Sequence, residues 1–185
     1  MKPVVEHYRF TVDEFYRMQK AGIWDEDTRV ELIGGEIFHM PPIGSQHAGT
    51  VDQISHLFHR LLAGRAIIRV QSPVRIDEYT EPQPDITLLK PRPDFYRTGH
   101  PTPPDVWLVV EVAETSADYD REVKVPVYGR AGIPEAWVVD LAQGWVEVYT
   151  MPWEAGYRPK RIYHREERIQ LQAFPDVTVE ASALL

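Results

Sequence analysis

A single mixed α/β domain is the fold class that the sequence predicts, and three observations predict it. The chain has 185 residues, the length of one ordinary domain, and a chain this long buries most of its surface without disulfide or metal staples. Helical and strand-like periodicities alternate along it in the order α-β-β-α-β-β-α-β-β. The run Val106-Trp-Leu-Val-Val-Glu-Val-Ala113 is apolar on both faces except at Glu111, as expected of a central strand covered on both sides.

Local chemistry justifies each element in turn. Thr11-Val12-Asp13-Glu14 spells a capping box, Phe10 and Phe15 occupy the two positions of a hydrophobic staple, and Gly22 stands where a glycine ends a helix, so residues 12–21 are predicted helical. Arg29–Ile33 and Glu36–Met40 flank Gly34-Gly35, a two-residue loop suited to a type I′ hairpin. From Gln46 to Leu62, the residues Val51, Ile54, Phe58 and Leu61 recur at three- and four-residue spacing, which predicts a second helix. Short β-rich runs follow at Ala66–Val70, Val74–Ile76 and Asp85–Leu89, then a proline-rich connection over Pro91–Pro104. After the central strand a helical stretch runs to Ala131 and is closed by Gly132 and Pro134. Pro126 lacks a backbone donor, so it lies in the first turn of that helix or the helix kinks. Strands are expected at Glu135–Asp140, Gly144–Thr150 and Tyr157–Tyr163, and the remaining tail is weakly patterned. No repeat, low-complexity tract or linker divides the chain.

Composition narrows the function. Lys and Arg number 20 against 28 Asp and Glu, a net charge of −8, which argues against a protein that binds nucleic acid simply by coating phosphates with cations. It is compatible with an enzyme whose acidic site holds a cation. With no cysteine, disulfides, a thiolate nucleophile, Fe–S clusters and Cys-ligated zinc are excluded. A reducing cytoplasm is then the natural compartment, and any metal takes oxygen or imidazole ligands. The N-terminal MKPVVEHYRF has no apolar leader core, and the longest apolar run, Val106–Val110, is far short of the ~20 residues that cross a bilayer. Neither a secretory signal nor a membrane span is expected.

Two carboxylates carry the chemistry. Asp85 follows Pro84 and opens a strand, and Glu111 interrupts the central strand near its end. Neighbouring strands lie ~4.8 Å apart, so carboxylates at adjacent strand ends can converge. Such a pair repels, and a buried carboxylate is costly unless paired, so a divalent cation with oxygen ligands resolves both problems. Mg²⁺ suits a sparse site of this kind because it keeps several waters and binds through one or two carboxylates plus substrate phosphate. The plainer alternatives are turn chemistry for an Asp after Pro and an arginine-paired buried Glu.

Pro84-Asp85, Glu111-Val112-Ala113 and the segment from Asp120 through Lys124, Pro126, Tyr128 and Trp137 to Asp140 resemble the Uma2 family of putative restriction endonucleases, within the PD-(D/E)XK nuclease superfamily. The likeness begins at the first helix, passes through Val30-Glu31-Leu-Ile-Gly-Gly-Glu36-Ile, is most specific from Lys124 to Asp140, and weakens beyond about Thr150. It implies a restriction-endonuclease-like central mixed sheet flanked by helices, and a Mg²⁺-dependent endonuclease acting on DNA, with Mn²⁺ as an alternative ion. Asp85, Glu111 and the backbone carbonyl of Val112 are the metal ligands it implies, with Asp85, Glu111 and Lys124 as catalytic residues.

The sequence departs from the superfamily pattern at one position. The lysine of E-x-K falls on Ala113, and because strand side chains alternate, residues 111 and 113 share a face, leaving a space where the ammonium belongs. The resemblance implies that the lysine has migrated to position 124 on the following helix, from which its long stem reaches back. Glu31, beside the Gly34-Gly35 turn, is a further catalytic candidate, as a second carboxylate at the metal; the alternative is a surface or cross-strand Glu. His47 lies on the same helical stripe as Val51, Ile54 and Phe58, and reads more as a satisfied core histidine than as a catalytic group. His56 and His59, on the opposite face, are expected in solvent. Lys160, Arg161, Arg165 and Arg168 form the dense basic cluster of the chain, a candidate phosphate contact or a solvated strand edge. An enzyme that cuts both strands of DNA is commonly a two-fold dimer, so a homodimer is expected. Two rival readings are a catalytically inactive nuclease-fold module that binds nucleic acid or a partner protein, and a metal-free glycosidase with carboxylates ~5 Å apart.

Overall fold

The computed structural model describes residues 6–25 and 27–185; residues 1–5, part of the stretch read for a leader, and Glu26 lie outside them. The doubly apolar run forms β5 (Val106–Ala113). It lies inside a six-stranded sheet with β3 (Ile67–Val70), β4 (Ile86–Leu89), β6 (Glu135–Asp140), β7 (Trp145–Thr150) and β10 (Lys160–Tyr163), ordered β10-β7-β6-β5-β4-β3. The β5–β6 pair is parallel and the other four pairs are antiparallel, so the sheet is mixed. The fold is the mixed α+β single domain that the sequence predicts.

Alternation along β5 assigns its residues to two cores. Leu108, Val110 and Val112 pack with Val51, Ile54, Phe58 and Leu62 of α2 (Ser45–Leu62), and with a C-terminal hairpin of β11 (Arg168–Leu171) and β12 (Phe174–Glu180). Val109 and Ala113 face the opposite core, with Val125 and Tyr128 of the helix that follows β5. Glu111 shares this second face by the same alternation, and its place on the strand directs it at that helix.

Capping and turn chemistry behave as the sequence predicts. Helix α1 (Val12–Lys20) carries the complete Thr11/Glu14 capping box. The hairpin of β1 (Val30–Ile33) and β2 (Glu36–His39) turns through Gly34 and Gly35, both at positive φ, as a type I′ turn requires.

The structure corrects three expectations. Residues 74–76 form no strand, because their N–H groups bond to Pro82, Pro101 and Thr80 rather than to one neighbouring strand. The run 157–163 is split, β9 (Gly156–Tyr157) pairing with β8 (Pro152–Trp153) while β10 joins the main sheet; Pro159 lies at the break. The tail is a hairpin, with a register shift between Gln170 and Leu171, whose Ile169, Leu171, Val177 and Val179 are buried in the first core. Its alternation is masked by Pro175, which an edge strand tolerates.

The helix after β5 resolves the Pro126 problem with a wide turn. It runs as α3 (Ala117–Tyr119), a π turn (Asp120–Lys124) and α4 (Val125–Arg130), with the Val125 N–H reaching back five residues to the Asp120 carbonyl. Proline at 126 can make neither the usual bond nor its steric fit to the preceding turn, and a π turn absorbs that disruption. Among the described residues no helix is long and apolar enough to cross a membrane.

α4 is seated against the β8–β9 hairpin by a backbone contact. A Cβ at Gly129 would lie 2.2 Å from the Gly156 carbonyl oxygen, so only glycine allows this approach. In an open helix Gly→Ala stabilises by about 1 kcal/mol. Here Gly129→Ala should destabilise by about 1–3 kcal/mol as an overpacked site, lowering the melting midpoint by several degrees in a chain of this length; differential scanning calorimetry checks the sign.

Candidate active site

The ladder between β4 and β5 ends at Ile86 and Val110, and the next residues build the site. Asp85 extends the ladder with its side chain, Oδ2 accepting the Val112 N–H at 2.9 Å. Continuing the register sets Pro84 opposite Val112, and a proline has no N–H to offer the Val112 carbonyl. Asp85 Oδ1 accepts from His47 Nε2 at 2.9 Å and from Gln71 Nε2 at 3.2 Å. His47 is therefore not the core histidine expected. It is half-buried in the first turn of α2, where its imidazole faces a carboxylate instead of the apolar stripe.

The helix supplies the other half of the site. Asp120, Lys124 and Tyr128 recur every four residues and are all buried, so they form one face directed at β5. Lys124 Nζ lies 2.8 Å from Glu111 Oε1 and 3.2 Å from Glu31 Oε1. Tyr128 OH donates to the same Glu111 oxygen at 2.5 Å, and the Gln83 N–H donates to Glu31 Oε1 at 3.1 Å. Ser116 Oγ donates to Asp120 at 2.7 Å. Every candidate from the sequence, Asp85, Glu111, Lys124, Glu31 and His47, is thus gathered in one place. Asp120 and Tyr128 were missed, although their four-residue spacing from Lys124 was a legible signal. His56 and His59 are exposed, as expected. Lys160, Arg161, Arg165 and Arg168 lie exposed along and beyond edge strand β10; Lys160 pairs with Glu147, Arg161 with Glu167 and Arg168 with Glu180. They line no part of this site.

Electrostatics follow from burying four carboxylates around one ammonium. Burial opposes the Lys124 charge, but Glu111, Glu31, Asp120 and Asp85 outweigh it and hold the pKa well above the ordinary lysine value. Burial drives Glu111 well above the ordinary carboxylate range despite the opposing pull of Lys124. Burial also raises Asp85, yet hydrogen bonding and charge from His47, with Lys124 and the Val112 N–H, bring it below the ordinary value. The hydrogen bond to Asp85 raises His47. Asp120 is pushed up to about 6, by burial first and then by Asp85 and Glu31, against the pull of Lys124 and Ser116.

These groups line a cavity of about 60 Å³, which holds a few water-sized groups and no organic ligand. Glu31 Oε2 is buried in the protein without a hydrogen-bond partner. An oxygen donor set with an unused carboxylate oxygen fits a hard divalent cation. Among the described residues no three His, Asp or Glu side chains are already gathered as a cage. The reason is visible in the contacts: the Lys124 ammonium is the cation between Glu31 and Glu111, and His47 and Val112 occupy Asp85.

Comparison with known proteins adds three findings. The Uma2 family model, described as "Putative restriction endonuclease", matches residues 12–182. The crystal structure of a putative nuclease belonging to DUF820 from Anabaena variabilis is similar with a TM-score of 0.72 and 14% sequence identity, covering 95% of this chain and 97% of that one, a likeness of fold. No curated protein matches the sequence.

The Asp120 carboxyl makes stability depend on pH. Its folded pKa of about 6 exceeds the ordinary 3.8, so the folded protein holds the proton more tightly. Stability therefore falls as pH rises from about 4 to about 6 and is lowest above that window, by at most ~3 kcal/mol for a two-unit shift. Asp120→Asn should raise stability by about 1–3 kcal/mol at pH 7.5 and change it little at pH 4, as read by urea unfolding at both pH values.

Proposed function

Because the chain belongs to the Uma2 family, we propose that it is a Mg²⁺-dependent endonuclease hydrolysing DNA phosphodiester bonds, with Mn²⁺ as an alternative ion. The observation that carries the proposal is the Lys124 ammonium, which reaches Glu111 from the helix and supplies the charge that Ala113 cannot.

In this reading Asp85, Glu111 and the Val112 carbonyl hold the cation, with the free oxygen of Glu31 as an additional donor. When bound, the cation supplies positive charge against the phosphate and makes water more acidic. His47 and the Val112 N–H fix the Asp85 carboxylate, and Tyr128 fixes Glu111, so neither has to reorganise as charge develops. Lys124 directs its ammonium toward the cavity, where it orients the attacking water and stabilises negative charge growing on the phosphoryl oxygens. The surrounding carboxylates favour its charged form, which suits an electrostatic role. The reading extends to a cytoplasmic homodimer, the assembly suited to cutting both strands.

Incubation with supercoiled plasmid and single-stranded DNA in Mg²⁺, Mn²⁺ or EDTA tests the activity. Cleavage should need the metal and stop in EDTA, whereas a metal-free glycosidase would be indifferent to EDTA and an inactive module would leave DNA intact. Lys124→Met, which keeps the apolar stem, should lower the cleavage rate by ~10²-fold or more per folded molecule, the folded fraction being read by circular dichroism and the rate referred to it. Undiminished turnover in that variant would overturn the mechanism.

A further inference from the structure

Behind β1 lies a second cavity, of about 330 Å³, whose wall includes Arg29 and Gln83. Both residues also line the carboxylate cavity. Successive residues of β1 divide between the two, Val30 facing the second cavity and Glu31 the first, as strand alternation requires. Whatever occupies the second cavity is therefore adjacent to whatever reacts in the first.

The chemistry of the two cavities differs. In the second, the one carboxylate among the described residues is Glu81, which is 3% exposed and fully engaged, Tyr16 OH donating to Oε1 and Arg75 Nε to Oε2 at 2.9 Å. These bonds cancel its charge and lock the Tyr16 ring as one wall. Among the described residues, the side-chain amides of Gln19 and Gln83 and the imidazole of His100 make no hydrogen bond within the protein. The cavity thus offers an aromatic face and several uncommitted donors and acceptors without net acidity. A metal ion is not matched by that set, and the cationic Arg29 lies on the wall shared with the first cavity. A neutral, planar, hydrogen-bonding group is matched, and amides of this kind pair with base edges. The volume is at the small end of the ~300–1,000 Å³ of ligand pockets, suited to one base and too small for a base pair.

We propose that this cavity seats one nucleobase of the substrate, unstacked from its neighbours, while the adjoining phosphate lies in the carboxylate cavity, with Arg29 on the shared wall between them. The inference rests on the nuclease reading and deepens it: the substrate nucleotide is single-stranded or flipped out of its duplex, since a paired base cannot enter.

The test separates base from backbone. Binding of a single-stranded DNA 12-mer and of a fully abasic 12-mer with the same phosphates is measured in EDTA, for the wild type and for the Gln19→Ala/His100→Ala variant. Both substituted residues are exposed, so the fold survives, and neither belongs to the catalytic machinery. The wild type should bind the base-bearing strand at least tenfold more tightly than the abasic one. The variant should lose that difference while its affinity for the abasic strand stays unchanged. Equal binding of both strands by the wild type, with Mg²⁺-dependent plasmid cleavage intact, would overturn the base pocket and leave the nuclease reading standing. A variant that keeps the full difference would also overturn it. Binding to neither strand, without cleavage, would remove both proposals.

Discussion

A fully buried ammonium is the feature on which the rest of this structure depends. Lys124 is 2% exposed, and an uncompensated charge in such a place would cost several kcal/mol. The protein stabilises it by surrounding it with carboxylates drawn from three separate parts of the chain, Glu31 on the hairpin, Glu111 on the central strand and Asp120 on the lysine's own helix. Each of those carboxylates is in turn too buried to stand without the ammonium. The hairpin, the sheet and the helix are therefore tied together through one nitrogen.

The helix that presents Lys124 is held in position by features that make little sense separately. Ala113 is small and fully buried in the same cluster as Val125, so the helix can lie close to the strand. Pro126 forces the backbone into a π turn, and Asp120 and Lys124 are the first and last residues of that turn. Between them Arg121 points the other way, donating to Asp140 and, at 3.0 Å, to Glu147. Both carboxylates are buried, and truncating a partner of such a buried network is strongly destabilising. Gly129 then allows the far end of the helix to touch the Gly156 backbone. Side-chain volume at 113, the π turn at 120–124 and the Gly129 contact together set where the helix places Lys124.

Polarity is partitioned between the two cavities by β1. Its carboxylate side is arranged for charge, and its opposite side, where Glu81 is neutralised, for uncharged polar contacts. Arg29 belongs to both and donates to the Pro41 carbonyl at 3.0 Å, which secures the connection between β2 and α2. A net charge of −8 therefore does not oppose a phosphate-bearing ligand at the site itself, because the acidic groups there are compensated locally or sit where a cation fits.

How much of this was legible in the sequence depends on the range of each interaction. The α1 cap, the Gly34-Gly35 turn, the two-faced strand around Glu111 and the amphipathic α2 were readable because each is set by residues within a few positions of one another, where capping, φ preference and periodicity act. Asp85 and Glu111 could be singled out because a preceding proline and an apolar flank mark them locally, and Lys124 because its segment resembles the family. The tertiary structure alone decided that His47 faces Asp85, that Glu31 reaches a lysine 93 residues away, and that Tyr16 and Gln83 wall a second cavity. These meetings join positions far apart in the chain, and what brings them together is the packing of two cores on opposite faces of one sheet, which no local pattern encodes.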